Sequence, residues 1–176
     1  MIRAALTSIP SHVVSLGDYE HLAKEHMSAA VAAWLNGGGA DERTLQENVS
    51  AFQEIRLQNR VLVDLKNGHT RSEILGQQFE YPILLAPVAH HRLLHPEGEL
   101  ATAVAAAAMR AGMVVSTQAS ISMEDIANKA TTAPLWFQLY FQAERAHTEQ
   151  LVQRAEAAGY KALVLTVDAP VNGIRN

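Results

Sequence analysis

The chain has 176 residues, 48% of them hydrophobic and 18% charged, which suits one domain with a buried core and excludes a long disordered tract. A formal net charge of −4, with Lys and Arg scattered, gives no electrostatic basis for binding nucleic acid or acidic lipid. Cysteine is absent, which excludes disulfides and thiolate metal ligands, and the run of small residues at 101–108 is too short to cross a bilayer.

The first predicted element is a helix. Tyr19, Leu22, Ala23, Met27, Ala30, Val31 and Trp34 recur at spacings that define one apolar face. Ser15 reads as its N-cap, with Asp18 at capping-box spacing, and Gly37-Gly38-Gly39 as its end, where a left-handed residue is tolerated. A short second helix is expected over 45–52. Between 60 and 78, Val61-Leu62-Val63 and the stretch 72–75 read as short strands joined by a turn at Asn67-Gly68.

From Pro82 the pattern becomes regular. Strands are predicted at 83–86, 113–116, 135–140 and 162–167. Between them lie helices at 97–111, at a segment opened by Ser122 with Asp125 three residues on, and at 145–158. Gly112 and Gly159 stop the first and last of these. Short apolar strands alternating with helices imply βα units and a parallel sheet. Four units form either a small open sheet or half of a (β/α)8 barrel, which normally takes about 250 residues. Each predicted strand ends in turn-forming or polar residues: Pro87-Val88-Ala89, Ser116-Thr117, Gln138-Leu139-Tyr140 and Thr166-Val167-Asp168. In a barrel, that end carries the active site.

The segments PILLAPVAHHRLLHPEGE (82–99), WFQLY (136–140) and ALVLTVDAPVNGIRN (162–176) closely resemble the FMN-dependent L-2-hydroxy acid oxidase and dehydrogenase family, which includes glycolate oxidase, lactate oxidase and mandelate dehydrogenase. The resemblance runs in order from about Tyr19 to Asn176. It implies an α/β chain that is the N-terminal half of a (β/α)8 TIM barrel. Residues 81–176 would supply four βα units, 1–80 an extension of helices and short strands, and the rest of the barrel would lie outside this sequence. It implies FMN as cofactor, with Pro87, Val88 and Ala89 against the flavin and Ser116, Gln138 and Thr166 bonded to its polar edge. By the same resemblance the Tyr140 hydroxyl has a catalytic role, helping to position the hydroxy acid and to stabilise charge near the reacting carbon. Arg175 binds the substrate carboxylate, for which a planar two-pronged donor is suited. Asp168 orients a catalytic histidine.

Two positions depart from the family pattern. Trp34 stands where many members carry a substrate-binding tyrosine, and an indole N–H donates but does not accept. It is therefore a candidate wall of the substrate pocket, or core packing. The stretch 171–175 lacks the paired arginines common there. The family's base histidine, its adjacent arginine, a flavin-contacting lysine and the phosphate site belong to the second barrel half. Catalysis by this sequence alone is therefore not expected. The expected partners are a small 2-hydroxy acid and the C-terminal half of the same barrel, as a separate chain or segment, in a cytoplasmic enzyme that is a homo-oligomer when complete.

Blander readings compete with these. His90, His91 and His95 read as solvated or helix-capping residues in preference to a metal site, because real sites need converging ligands. In His95-Pro96-Glu97-Gly98-Glu99, Pro and Glu suit a first helical turn. Gln138 and Tyr140 also fit ordinary polar positions in a barrel interior. A second class of function is a non-catalytic half-barrel that serves in assembly, two copies closing a barrel over the open edge of the last strand. A third is another phosphate-binding barrel enzyme.

Overall fold

A computed structural model describes residues 6–168, 171, 173 and 174. The chain forms two compact units, one reaching from the first described residues to His69 and the other starting at Thr70.

The first unit is helical. It contains α1 (Leu16–Lys24), α2 (Ala29–Asn36) and α3 (Arg43–Glu54). Ser15 caps α1 as predicted: its hydroxyl accepts from the Asp18 N–H, and Asp18 returns a bond to the Ser15 N–H at 2.8 Å. The single predicted helix is, however, two. Ser28 accepts from the Val31 N–H at 3.2 Å and opens α2, so the polar stretch between Lys24 and Ala29 breaks the run. Apolar spacing stayed in phase across that break, which is why periodicity missed it. The left-handed ending expected at the triple glycine is also corrected, since Gly37 is extended (φ −78°, ψ 146°). The second helix is longer than predicted. Val61-Leu62-Val63 forms no strand, and its three side chains are exposed.

The second unit opens with a hairpin of β1 (Ser72–Ile74) and β2 (Gln77–Phe79). Leu75 and Gly76 both have positive φ, as a two-residue primed turn requires, so the hairpin turn lies there. The chain also turns at Asn67-Gly68, the Gly68 N–H donating to the Leu65 carbonyl at 2.9 Å, but joins no strands there. A four-stranded parallel sheet follows, in the order β3 (Leu84–Leu85), β4 (Gly112–Val115), β5 (Leu135–Leu139), β6 (Ala162–Leu165). Three helices connect these strands: α4 (Glu99–Ala108), α5 (Met123–Lys129) and α6 (Arg145–Ala157). Ser122 caps α5 through the Asp125 N–H, as its spacing predicted. α4 begins at Glu99 and not at Glu97, because Gly98 adopts φ +53° immediately before it.

The sheet's two faces are sorted by residue parity. Met113, Val115, Leu135, Phe137 and Leu139 pack with Ala103, Ala106, Met123, Ile126 and Ala155 of the helices to form the core. Even-numbered residues occupy the opposite face. At the N-terminal end of the strands, Phe79 of the hairpin meets Trp136 edge-on, with ring centroids 6.2 Å apart, and Trp136 Nε1 donates to Gln77 Oε1 at 3.1 Å. The hairpin thus closes one end of the sheet and leaves functional chemistry to the other. At the edge of the sheet, Leu163 and Leu165 of β6 share the face of Phe137 and Leu139, yet they remain 47% and 43% exposed, with no helix following β6 among the described residues.

Candidate functional site

Strand register brings three of the predicted residues into one row. Ser116 follows β4, Gln138 lies near the end of β5 and Thr166 follows β6, all on the even-numbered face. Ser116 Oγ donates to Gln138 Oε1 at 3.2 Å, and Gln138 Nε2 donates to Thr166 Oγ1 at 2.9 Å. Gln138 is only 3% exposed, so this network is fixed by burial as well as by bonding.

The orientation of the Gln138 amide has a cause. Thr117 N–H donates to Gln138 Oε1 at 3.1 Å, which places the oxygen toward β4 and the NH2 toward β6. Thr117 Oγ1 also donates to the Gln138 carbonyl at 2.5 Å and accepts from the Tyr140 N–H at 3.2 Å. The Tyr140 backbone is thereby tied to the end of β4, and Gln142 Nε2 donates to the Tyr140 carbonyl at 2.9 Å. Thr117 was read from the sequence only as part of a strand end. Nothing in a lone threonine beside a serine distinguishes a hydroxyl that spans two strands.

Pro87, Val88 and Ala89 lie beyond β3 at the same end; Pro87 and Val88 are exposed and Ala89 is half-buried. The residue after them, His90, adopts φ +56°, and its N–H donates to the Gln118 carbonyl at 3.1 Å, joining the loop after β3 to the loop after β4. Asp168 is exposed three residues beyond the end of β6. The structure therefore brings Ser116, Gln138, Thr166 and Tyr140 together and links the loop carrying Pro87, Val88 and Ala89 to them. Trp34 belongs to the first unit, near the C-terminal end of α2, and is partly exposed. Arg175 lies outside the described residues.

Among the described residues, no group of three or more His, Asp or Glu side chains converges as metal ligands would. The cluster at 90–95 instead makes local bonds, His91 Nδ1 lying 3.1 Å from Thr102 Oγ1 and His95 Nδ1 accepting from the Glu97 N–H at 3.3 Å. No described helix is long and apolar enough to cross a membrane.

Parallel βα units with a polar row at the C-terminal strand ends define the first half of a (β/α)8 barrel of the FMN-dependent oxidase type. The family model for FMN-dependent dehydrogenases matches residues 23–176, and the chain belongs to that family. It is 47% identical over 173 residues to an L-lactate oxidase of Nostoc sp., covering 97% of this chain and 47% of that one. A peroxisomal (S)-2-hydroxyacid oxidase of Arabidopsis thaliana is 44% identical over 163 residues, covering 93% of this chain and 45% of its own. Among solved structures, a mandelate oxidase with (S)-4-hydroxymandelic acid matches with a TM-score of 0.87 and 39% identity over 92% of this chain and 45% of that chain. A mandelate oxidase variant carrying a C4a-OH-FMN adduct matches with a TM-score of 0.86 and 37% identity over 90% of this chain and 47% of its own. The chain thus spans about half the length of the relatives it matches.

Proposed function

We propose that this chain, completed by the second half of its barrel, binds FMN over the C-terminal strand ends and oxidises an L-2-hydroxy acid to the 2-oxo acid. The observation that carries the reading is the row Ser116–Gln138–Thr166. Among the described residues, one hydrogen of the Gln138 amide and the Thr166 hydroxyl hydrogen have no acceptor. Two such donors at a strand end suit a planar heterocycle that presents carbonyl oxygens and ring nitrogens along one edge. Val88 is exposed and Ala89 half-buried in the loop after β3, which leaves room for a flat ring to approach.

Bound there, FMN would supply the acceptor for the hydrogen and two electrons leaving C2 of the hydroxy acid. The chain's own residues hold and orient. Pro87, Val88 and Ala89 line the ring, and Ser116, Gln138 and Thr166 fix its polar edge. The Tyr140 hydroxyl has no partner among the described residues and serves to position the substrate hydroxyl. By the family resemblance Arg175 would take the substrate carboxylate, and Trp34 stands at the sequence position where a substrate-binding tyrosine is usual. Asp168 orients the imidazole that accepts the hydroxyl proton, which the other barrel half must provide.

Support for completion comes from β6, the outer strand of the sheet, whose Leu163 and Leu165 side chains are also exposed. The partner is the remaining barrel half, in the same polypeptide or as a separate one, and the complete enzyme is a cytoplasmic homo-oligomer. The same edge supports a second reading, two copies of this half-barrel closing on each other without flavin.

Intact mass under denaturing conditions, with a visible absorption spectrum of the purified material, separates the two. A flavin spectrum with a completing sequence, bleached anaerobically by an L-2-hydroxy acid, supports the first. A colourless dimer of a single 19.1 kDa chain supports the second.

A further inference from the structure

Glu99 is the first residue of α4 and is only 1% exposed, although it lies beside no cation among its described partners. Its Oε1 accepts two backbone N–H groups from separate segments. His91 in the loop after β3 donates at 3.1 Å, and Ser120 in the loop after β4 donates at 2.8 Å. Its Oε2 is buried with no hydrogen-bond partner among the described residues. Burying a carboxyl oxygen without a partner is unfavourable. An apolar side chain would fill the space at lower cost, so what Glu99 contributes is the geometry held by Oε1.

Further bonds run between the same two loops. The Arg92 N–H donates to Ser120 Oγ at 3.2 Å, and the His90 N–H donates to the Gln118 carbonyl at 3.1 Å. Gly98 is shaped to this arrangement as well, since a Cβ there would lie 2.9 Å from Arg92 Cγ and 3.3 Å from Ile121 Cδ1. The loop after β3 carries Val88 and Ala89, and the loop after β4 begins at Ser116. A carboxyl that joins them from below sets the distance between the backbone that faces the flavin and the first member of the polar row.

We propose that Glu99 is a positioning residue for the flavin site, its Oε1 clamping the loops after β3 and β4 in one fixed relation. This rests on the reading of those loops as the flavin face. Glu99 touches neither flavin nor substrate; it acts through His91 and Ser120. Glu99→Gln keeps one oxygen able to accept both N–H groups, whereas Glu99→Ala keeps none. Ser120→Ala removes a single weaker link, that to Arg92, without emptying a buried site.

The test uses the complete flavoprotein with three readouts: amide hydrogen exchange at His91 and Ser120, FMN dissociation constant by fluorescence, and thermal midpoint. Glu99→Ala is expected to exchange both amides at least about tenfold faster and to weaken FMN by about ten- to a hundredfold. Glu99→Gln is expected to stay within about threefold of wild type in both, and Ser120→Ala to weaken FMN by about two- to fivefold. If Glu99→Ala does not fold, the Glu99→Gln result decides. Unchanged amide protection in Glu99→Ala overturns the clamp. So does a Gln variant with FMN binding as poor as the Ala variant. If wild type binds no FMN while the exchange results stand, the clamp holds and the flavin reading fails, taking the positioning role with it.

Discussion

Gln138 Nε2 donates to Thr166 Oγ1 across 2.9 Å, joining the end of β5 to the segment after β6. That bond follows from the Thr117 N–H, which takes the amide oxygen on the other side and leaves only the NH2 to face Thr166. The polarity of the row is thus set by backbone and not by a rotatable hydroxyl.

Thr166→Val should therefore remove an acceptor and a free donor together while preserving shape. We expect FMN affinity of the complete protein to fall about three- to tenfold, the range for losing one neutral hydrogen bond. Fluorescence titration with FMN measures it, and an unchanged dissociation constant would remove Thr166 from the flavin edge.

Thr117→Val should act on stability and on Tyr140. The hydroxyl that bonds the Gln138 carbonyl and the Tyr140 N–H is lost, leaving a half-buried donor unpaired. A loss of about 1–3 kcal/mol is expected by urea denaturation, with faster amide exchange at Tyr140.

Gly112→Ala tests how closely the hairpin closes the N-terminal end of the sheet. An added Cβ would lie 2.8 Å from Phe79 Cε1 and 3.0 Å from Leu84 Cδ2, at a site with little room to relax. Overpacking of this kind costs about 1–3 kcal/mol, readable as a lowered denaturation midpoint.

Tyr160 gives an alkaline prediction. Its hydroxyl donates to the Met123 carbonyl at 2.9 Å, and burial, with a smaller contribution from Glu124, pushes its pKa well above the ordinary 10.0. A raised acid contributes stability that is complete below its unfolded pKa and is lost as pH rises beyond it. Wild-type stability should therefore decline above about pH 10 more steeply than that of Tyr160→Phe. At neutral pH the Phe variant should be about 1 kcal/mol less stable. Ultraviolet titration with parallel urea melts measures both.

The pair Glu124–Arg154 gives an acid prediction of smaller size. Arg154 Nε and Nη2 lie 2.8 and 2.9 Å from the two carboxyl oxygens, and that hydrogen bonding holds Glu124 below the usual glutamate range. Its contribution is present above the unfolded glutamate pKa and is lost as pH falls through the lower folded value. Both side chains are about half exposed, so Glu124→Gln should cost under about 1 kcal/mol at pH 7 and progressively less as pH falls below the ordinary glutamate range.

Much of the fold was legible because its signals are local. Ser15–Asp18 and Ser122–Asp125 are capping pairs within one turn, and Gly159 stops α6 with φ +86°. The four strands of the parallel sheet announced themselves as short apolar runs between helices. What failed was also local in kind. Val61-Leu62-Val63 has strand composition without a strand partner, and the break before Ser28 preserved the apolar phase.

The sequence by itself determined the alternation of βα units, the polar residues at their ends and the motifs that mark an FMN-dependent dehydrogenase. These depend on residue type and spacing along one segment. Only the tertiary structure decided that Ser116, Gln138 and Thr166 form one bonded row, that Thr117 orients it, and that Glu99 is buried beneath two loops. Those relations join residues from 8 to 28 positions apart through strand register and loop closure, which no spacing along the chain encodes.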